Sequence, residues 1–165
     1  MSLSDDSLQA SDPLGIGFAL PLREAFFPLG FSAAIETNDQ RVLDAARRSF
    51  GASALRFDAP PIQLSIAVEA DGGEPPTEVH YRGRRHLLSI TCDARNFAVA
   101  DMRAGVGYAW ITEAAAARSD WLRHRFLEAI IYSALVQDRL TPIHASCIAK
   151  RGRGLLLCAP PGTGK

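Results

Sequence analysis

The chain lacks the features that mark secreted and membrane-spanning proteins. No apolar run approaches the roughly 18 residues that a membrane helix needs. Its start, Met1 to Asp6, has neither the basic residues nor the apolar core of a signal peptide. The three cysteines have no paired spacing that would indicate disulfides. These absences argue against export and against a membrane partner, and they predict a protein of the reducing cytoplasm.

Charge is balanced overall but unevenly distributed along the chain. Residues 1–78 carry 5 basic and 12 acidic groups, whereas residues 79–165 carry 13 basic and 6 acidic groups. No run of like charge indicates nucleic-acid binding. The histidines have no ligand-like spacing with the cysteines, which argues against a His/Cys metal site. The basic half is expected either to attract a nucleotide or a phosphorylated partner or, for Arg82, Arg84 and Arg85 at least equally well, to form an ordinary solvated surface.

The first half of the sequence predicts a strand, a helix and a second strand behind a polar leader. The length of 165 residues, with 47% hydrophobic and 22% charged residues, fits one globular domain. Residues 1–13 are polar and predict a loose, disordered leader. A strand is expected from Phe31 to Glu36, followed by a helix that is capped at Asn38-Asp39 and closed by Gly51. Alternating apolar residues from Ile62 to Val68 predict a strand with one buried face.

The second half predicts a series of strands and then the longest helix. Strands are expected from Leu87 to Cys92, from Phe97 to Met102 and from Tyr108 to Thr112, and their short links indicate antiparallel pairing. A helix capped by Ser119-Asp120 is expected to end before Thr141-Pro142. The sequence therefore predicts an α+β fold that combines a mostly antiparallel sheet with two main helices.

The most specific pattern in the sequence is a hairpin followed by a glycine-rich loop. Ile143 to Ala149 and Leu155 to Cys158 flank a tight basic turn at Lys150-Arg151-Gly152-Arg153 and predict a β-hairpin, whose apolar second strand is expected to be buried. The next residues fit seven of the eight positions of a Walker A motif, in which backbone N–H groups wrap a phosphate and a lysine reaches its outer oxygens. The predicted phosphate-binding residues are Ala159, Pro160, Pro161, Gly162, Thr163, Gly164 and Lys165.

Two classes of P-loop protein fit a loop strand that has an antiparallel partner just before it. One is the ABC-type ATPases, and the other is the kinase group related to HPr kinase and phosphoenolpyruvate carboxykinase. ABC-type ATPases usually stack adenine on an aromatic residue a couple of dozen positions before the lysine. Here the nearest upstream aromatic residue, Tyr132, lies 33 residues before Lys165 and inside the predicted helix. The kinase group is therefore favoured.

The residues around the hairpin resemble the start of the HPr kinase/phosphorylase catalytic domain. The resemblance lies in Ile143-His144-Ala145-Ser146, the basic turn, Gly154-Leu155-Leu156-Leu157 and the loop. Upstream, Pro28-Leu29-Gly30-Phe31, Thr37-Asn38 and a helix ending at Ser49-Phe50-Gly51 are similar to bacterial HPr-kinase-related proteins. The resemblance implies an ATP-dependent serine kinase that uses Mg²⁺ and transfers the γ-phosphoryl group of ATP to a serine of a protein or peptide.

The resemblance also assigns a position to His144. It matches a histidine that the family places just before the loop strand, which implies a catalytic position near the phosphates. A histidine in a strand is also commonly a packed, hydrogen-bonded core residue. Bifunctional members of the family have glycine after this histidine, whereas Ala145 and Ser146 follow it here. Phosphorylase activity, and HPr itself as the substrate, are therefore not implied.

We interpret the chain as the N-terminal part of such a kinase, truncated inside the Walker A motif. It divides into the leader, an α+β region at 14–142 and the start of the P-loop kinase core at 143–165. This part alone is expected to be inactive, because the Ser/Thr that would hold Mg²⁺ and the acidic residue that would activate the acceptor lie beyond Lys165. A non-enzymatic alternative is that residues 14–142 bind a peptide or partner protein while the loop senses a nucleotide. The sequence predicts neither the acceptor nor the oligomeric state.

Overall fold

The computed structural model describes residues 19–70, 73, 75 and 77–158, so the predicted leader and phosphate loop lie outside the described residues. The strands are β1 (Leu22–Phe26), β2 (Ala33–Thr37), β3 (Ile62–Glu69), β4 (His80–Arg84), β5 (Leu87–Thr91), β6 (Phe97–Asp101), β7 (Val106–Thr112), β8 (Ala145–Lys150) and β9 (Arg153–Cys158). The helices are α1 (Gln40–Phe50), α2 (Glu113–Ala117), α3 (Ser119–Leu122) and α4 (Glu128–Asp138), with a 3-10 turn at Pro28–Gly30 and a π-helical segment at Arg123–Leu127.

Strands β1 to β7 form one mixed sheet in the order β1-β2-β3-β7-β6-β5-β4. The pairings β2–β3 and β3–β7 are parallel, and the other four are antiparallel. The prediction of an α+β fold with a mostly antiparallel sheet is therefore confirmed. The parallel centre was not predicted. It arises because α1 carries the chain across the sheet between β2 and β3, and because β4 to β6 are completed before β7 joins β3.

The two edge strands of the large sheet were also missed from the sequence. Every residue of β4 is exposed, so burial does not alternate along the strand and the sequence has no period-two apolar pattern to indicate it. Arg82 and Arg84 place charge along this edge, which is a common way to prevent edge strands from pairing with other molecules. Edge strands of this kind are specified by their neighbours in the sheet more than by their own residue pattern.

Helix α1 forms as predicted. Asp39 is the N-cap and its carboxylate accepts the N–H of Arg41 at 2.8 Å, while Gly51 is the C-cap and its N–H bonds to the carbonyl of Arg47 at 2.8 Å. The apolar face of the helix packs into the core beneath the sheet. Its buried residues are Val42, Leu43, Ala45, Ala46 and Phe50.

Small residues let the C-terminal helices lie close to the sheet. A Cβ atom on Gly107 would lie 3.1 Å from Cγ2 of Ile130 in α4 and 3.2 Å from Cδ1 of Leu64 in β3. Such spacing is tighter than ordinary van der Waals contact, so only glycine fits there without movement of its neighbours. The other small residues on this face of β6 and β7 are Ala98, Ala100 and Ala109, which pair across the two strands with one another or with Gly107.

The predicted long helix is present but is interrupted by the π segment. The N–H of Glu128 bonds to the carbonyl of Arg123, five residues earlier, which inserts one extra residue into the turn. The predicted cap at Ser119-Asp120 is wrong, because the N-cap is Arg118. Ser119 lies inside the first turn instead, and its hydroxyl is buried with no partner among the described residues. The helix ends at Asp138, ahead of Thr141-Pro142 as predicted.

Two asparagine side chains supply hydrogen bonds at one end of the sheet. The amide of Asn38 donates to the carbonyl of Val68 at 2.9 Å and accepts its N–H at 2.8 Å. Asn96 is 2% exposed; its side-chain oxygen accepts the N–H of Thr112 at 3.0 Å, and its NH₂ donates to both carboxylate oxygens of Asp93 at 3.1 Å. These side-chain amides form hydrogen bonds with backbone groups at the strand ends that have no backbone partner there.

The predicted β-hairpin is confirmed, but its predicted burial is not. Strands β8 and β9 pair antiparallel as a separate two-stranded sheet, and Arg151 and Gly152 form the tight turn with φ of 50° and 76°. Every residue of β9 is exposed, and so are Cys147 and Cys158. The apolar pattern predicts a buried strand, but among the described elements only β8 pairs with β9.

We expect Gly107→Ala to lower the free energy of unfolding by about 1–3 kcal/mol, because the new methyl group would push α4 away from the sheet. Gly83→Ala is the matched control, since a Cβ atom on this exposed strand glycine would meet no atom within 4 Å. The control should leave stability unchanged or raise it by up to about 1 kcal/mol, because alanine loses less backbone entropy than glycine on folding. Urea unfolding of both variants measures the difference. Equal stability of the two would contradict the close approach at Gly107.

We expect Asn96→Ala to cost about 2–3 kcal/mol, because it leaves the buried N–H of Thr112 without an acceptor. Gln40→Ala serves as the control, since it removes an exposed side-chain hydrogen bond to Asp44. The same unfolding measurement distinguishes the two. A loss at Asn96 no larger than that at Gln40 would show that water replaces the amide, and the proposed role of the buried side chain would then fail.

Candidate functional site

The predicted phosphate loop would continue the chain from one end of the β8–β9 hairpin. Ala145 pairs with Cys158, the last described residue before the loop. His144 directly precedes Ala145, so it lies at the same end of the hairpin. It is exposed, as are most residues of β8 and β9, so its exposure does not distinguish a histidine that contacts phosphate from one that packs when further layers cover the hairpin. The seven loop residues lie outside the described residues, and their relation to His144 stays a prediction.

The basic turn of the hairpin lies at the opposite end from the loop. Lys150, Arg151 and Arg153 are exposed there. Five strand steps separate Arg153 from Cys158, which corresponds to roughly 17 Å at the usual rise per residue. These three charges are therefore too far from the end of β9 to contact a phosphate bound just beyond it. Their contribution to nucleotide binding would be limited to a screened, long-range attraction.

A groove of about 450 Å³ lies over strands β4 to β7. Gly107 faces α4, so its neighbours Val106 and Tyr108 point to the opposite side of the sheet, where the groove is. Leu87 and Val99 also line it and are 50% and 40% exposed. We call this surface the sheet groove and define it by its apolar floor and its two arginines: Leu87, Val99, Val106, Tyr108, Arg82 and Arg84.

The charge of the sheet groove is positive. Among the described residues, no carboxylate forms an ion pair with Arg82 or Arg84. Asp101 also lines the groove, but Nε2 of His86 lies 3.6 Å from one of its carboxylate oxygens, and its other oxygen accepts two backbone N–H groups of the following turn. An apolar floor beside two available guanidinium groups suits a ligand that carries both apolar groups and negative charge.

A second polar cluster lies where α1 meets the π segment. Oγ of Ser49 donates to Oε1 of Glu128 at 2.7 Å, and Nε of Arg123 donates to the same hydroxyl at 2.9 Å. Nδ1 of His124 lies 3.0 Å from Oε2 of Glu128. The π turn brings Arg123 and Glu128 together, with 3.6 Å between their charged groups.

The chemistry of this cluster is structural. Burial opposes ionisation of Glu128, but hydrogen bonds from Ser49 and His124, together with the charges of His124 and Arg123, outweigh it and hold its pKa below the usual value. A carboxylate with a lowered pKa is a weak proton acceptor, so Ser49 gains no effective general base from it. We interpret the cluster as a clamp between α1 and the C-terminal helix.

Cys92 is the one cysteine that packs against the core. Burial, assisted by the nearby charge of Asp93, raises the pKa of its thiol to about 11. Because the thiolate and not the thiol is the nucleophile, Cys92 is unsuited to nucleophilic catalysis at neutral pH. The cluster at Ser49 and the thiol of Cys92 are therefore unsuited to catalysis. The hairpin end and the sheet groove remain as the candidate functional surfaces.

The described part of the chain has neither a cluster of metal ligands nor a helix that could span a membrane. Within residues 19–70, 73, 75 and 77–158, no group of three or more His, Cys, Asp or Glu side chains is arranged to hold a metal ion. None of the helices in these ranges is long and apolar enough to cross a membrane.

Comparisons with protein-family models, with curated proteins and with solved structures found no match to this chain. The resemblance to HPr kinases therefore has no independent support from a family or a structural neighbour. The functional assignment depends on the residues of the chain and on where the fold places them.

Neither the sheet groove nor the clamp was predicted from the sequence. A signal for the groove exists, because β5 and β6 carry apolar residues on both faces although the helices cover only one, as Leu87 and Val99 show. No comparable signal exists for the clamp. Ser49 and Glu128 are 79 residues apart, and only the packing of α1 against the C-terminal helix brings them together.

The lowered pKa of Glu128 predicts a loss of stability in acid. A carboxyl group with a lowered folded-state pKa stabilises the fold fully above its unfolded pKa of about 4.3, and that stabilisation is lost as the pH falls through the lower folded-state value. We expect Glu128→Gln to lower stability at neutral pH and to weaken its dependence on pH below about 4.5.

Chemical unfolding at a series of pH values measures this effect. Glu78→Gln is the control, because its side chain is 81% exposed. Asp39 and Asp93 also have lowered pKa values, so some acid dependence should remain in the Glu128 variant. Identical pH profiles for wild type and Glu128→Gln would contradict the clamp.

Proposed function

We propose that this chain forms the N-terminal part of a cytoplasmic, HPr-kinase-like P-loop kinase that phosphorylates a serine of a protein or peptide. One observation carries the proposal. The β8–β9 hairpin ends where the Walker A-like residues begin, and His144 lies at that same end. An antiparallel hairpin leading into the loop is the arrangement that separates this kinase group from doubly wound NTPases, which reach the neighbours of the loop strand by helical crossovers.

In the proposed site the loop would hold the phosphates of ATP. The backbone N–H groups of Gly162, Thr163 and Gly164 would wrap the anion, since Pro160 and Pro161 have none, and the ammonium group of Lys165 would reach its outer oxygens. The ATP and Mg²⁺ would supply the transferable phosphoryl group and the charge balance for its transfer. His144 is exposed and precedes β8, so it could contact a phosphate or the acceptor without leaving a packed position.

The surface of the hairpin supports the proposal in a second way. Ile148, Leu155 and Leu156 are each more than half exposed. Leu155 and Leu156 are neighbours in a strand, so they point to opposite faces of the hairpin. A strand with apolar residues on both faces is typical of the buried sheets of α/β folds. The hairpin is therefore suited to pack between further layers, as the loop strand of a kinase core would.

A non-enzymatic role is the second candidate, and the sheet groove is the observation that favours it. An apolar floor beside Arg82 and Arg84 suits recognition of an acidic peptide or partner protein. In that case the loop would bind a nucleotide and change partner affinity without phosphoryl transfer. The two candidates differ in one measurable property, the turnover of ATP with a serine acceptor.

The decisive variant is Lys165→Ala in a protein that continues beyond the loop. We expect it to lower ATP turnover by at least about 100-fold, because the lysine stabilises charge that develops on the phosphate oxygens. Lys150→Ala is the matched control, since it removes the exposed lysine at the far end of the hairpin. Equal turnover in both variants would refute the kinase assignment. Nucleotide-dependent partner binding without turnover in the wild type would favour the second candidate.

A further inference from the structure

The sheet groove needs an occupant that is both apolar and acidic. Leu87 and Val99 leave apolar surface exposed, and Arg82 and Arg84 are available for ion pairs because no described carboxylate engages them. An apolar floor that is exposed to water is unfavourable. A ligand that covers it would remove apolar area from solvent and thereby gain binding free energy. The two arginines restrict the choice of occupant to a segment with negative charge.

The first 18 residues of this chain have that composition. They contain three aspartates, Asp5, Asp6 and Asp12, and no lysine or arginine. They also contain apolar side chains that the floor could accept. These are Leu3, Leu8, Leu14, Ile16 and Phe18.

The topology places this segment within reach of the groove. One continuous row of strand partners crosses the sheet from β1 to β4. It consists of Arg23, Glu36, Ser65, Tyr108, Val99, Ser89 and Arg82. Leu22 lies one step from this row. The distance from β1 to β6 is four strand spacings, or roughly 20 Å. An extended chain of 18 residues can span up to about 60 Å, so its length is sufficient to reach the groove.

We propose that residues 1–18 bind the sheet groove of their own chain, with aspartates beside Arg82 and Arg84 and apolar side chains on the floor. Covalent attachment supports this occupant over a separate molecule, because a tethered segment acts at an effective concentration of about 1 mM. An external acidic partner would then have to displace the segment before it could use the groove. The inference is independent of the proposed kinase activity.

Photo-crosslinking in the full chain tests this contact. A benzophenone amino acid replaces Leu8, the protein is irradiated, and the crosslinked peptides are identified by mass spectrometry. We expect crosslinks within one molecule to the segment from Leu87 to Asp101. The double variant Arg82→Glu/Arg84→Glu should lower their yield at least about fivefold, because attraction becomes repulsion. Replacing Asp5, Asp6 and Asp12 with lysine in that variant should restore the yield.

The control is Arg118→Glu/Arg125→Glu, which makes the same change in net charge at two exposed arginines on the helical side of the sheet. It should leave the crosslinks unchanged. Thermal unfolding checks that each variant folds. If the arginine pair does not fold after substitution, Leu87→Asp tests the same contact through the floor and should lower the yield as well.

Three results would overturn the inference. Crosslinks from position 8 to other parts of the same molecule would mean that the segment binds elsewhere. Crosslinks between two molecules would identify a second copy as the occupant. A yield that is the same in wild type, the arginine variant and the Leu87 variant would mean that neither the charge nor the floor of the groove holds the segment.

Discussion

The close approach of α4 to the sheet at Gly107 is the contact on which the rest of the described structure depends. With 3.1 Å between a hypothetical Cβ and Cγ2 of Ile130, the side chain of Ile130 lies directly against the backbone of β7. Leu127, Ile130 and Ile131 all lie in the core on this side of the sheet. The same helical segment packs against α1, which places Glu128 beside Ser49. The clamp at Ser49 is a consequence of that packing.

The two faces of the sheet have different roles because the helices cover only one of them. Near the end of β7, the opposite face is closed by Trp110, which is 5% exposed and stacks on Phe97 with ring centroids 5.0 Å apart. A few residues along the same strands, around Tyr108 and Val99, that face is open and forms the sheet groove. Binding potential in this region therefore comes from side chains that alternate with the core residues of the same strands.

Most local features of the fold were predictable, although the cap at Ser119-Asp120 was wrong, whereas the parallel pairings and the edge strands were not predicted. The cap at Asp39, the end of α1 at Gly51 and the tight turn of the hairpin are each fixed by a few neighbouring residues, whose chemistry can be read directly. The parallel centre of the sheet and the edge strands depend on contacts between distant segments. Single-sequence patterns contain little information about such pairings, because strand propensity mainly reflects the neighbours a strand finds.

The candidate site divides in the same way. The phosphate loop and the role of His144 are predictions from the sequence, which were possible because a nucleotide site of this type has its pattern in consecutive residues. The sheet groove is built from four strands and the clamp from two helices, so neither has a local signature. The apolar pattern of β9 predicted a buried strand, but every residue of β9 is exposed. A residue pattern indicates which contacts a strand is suited to make and not whether those contacts are present.

The π segment has a consequence for the length of the helix. A π turn is equivalent to an α-helix that has gained one residue, and the gain is absorbed locally without a shift of the flanking turns. Losing one residue between Arg123 and Leu127 would therefore restore regular helix while leaving α3 and α4 in the same groove of the core. The hydrogen bond that joins Glu128 to Arg123 would vanish with it. The two charged groups would then be four residues apart instead of five, so the clamp would have to form with the spacing of a regular helix.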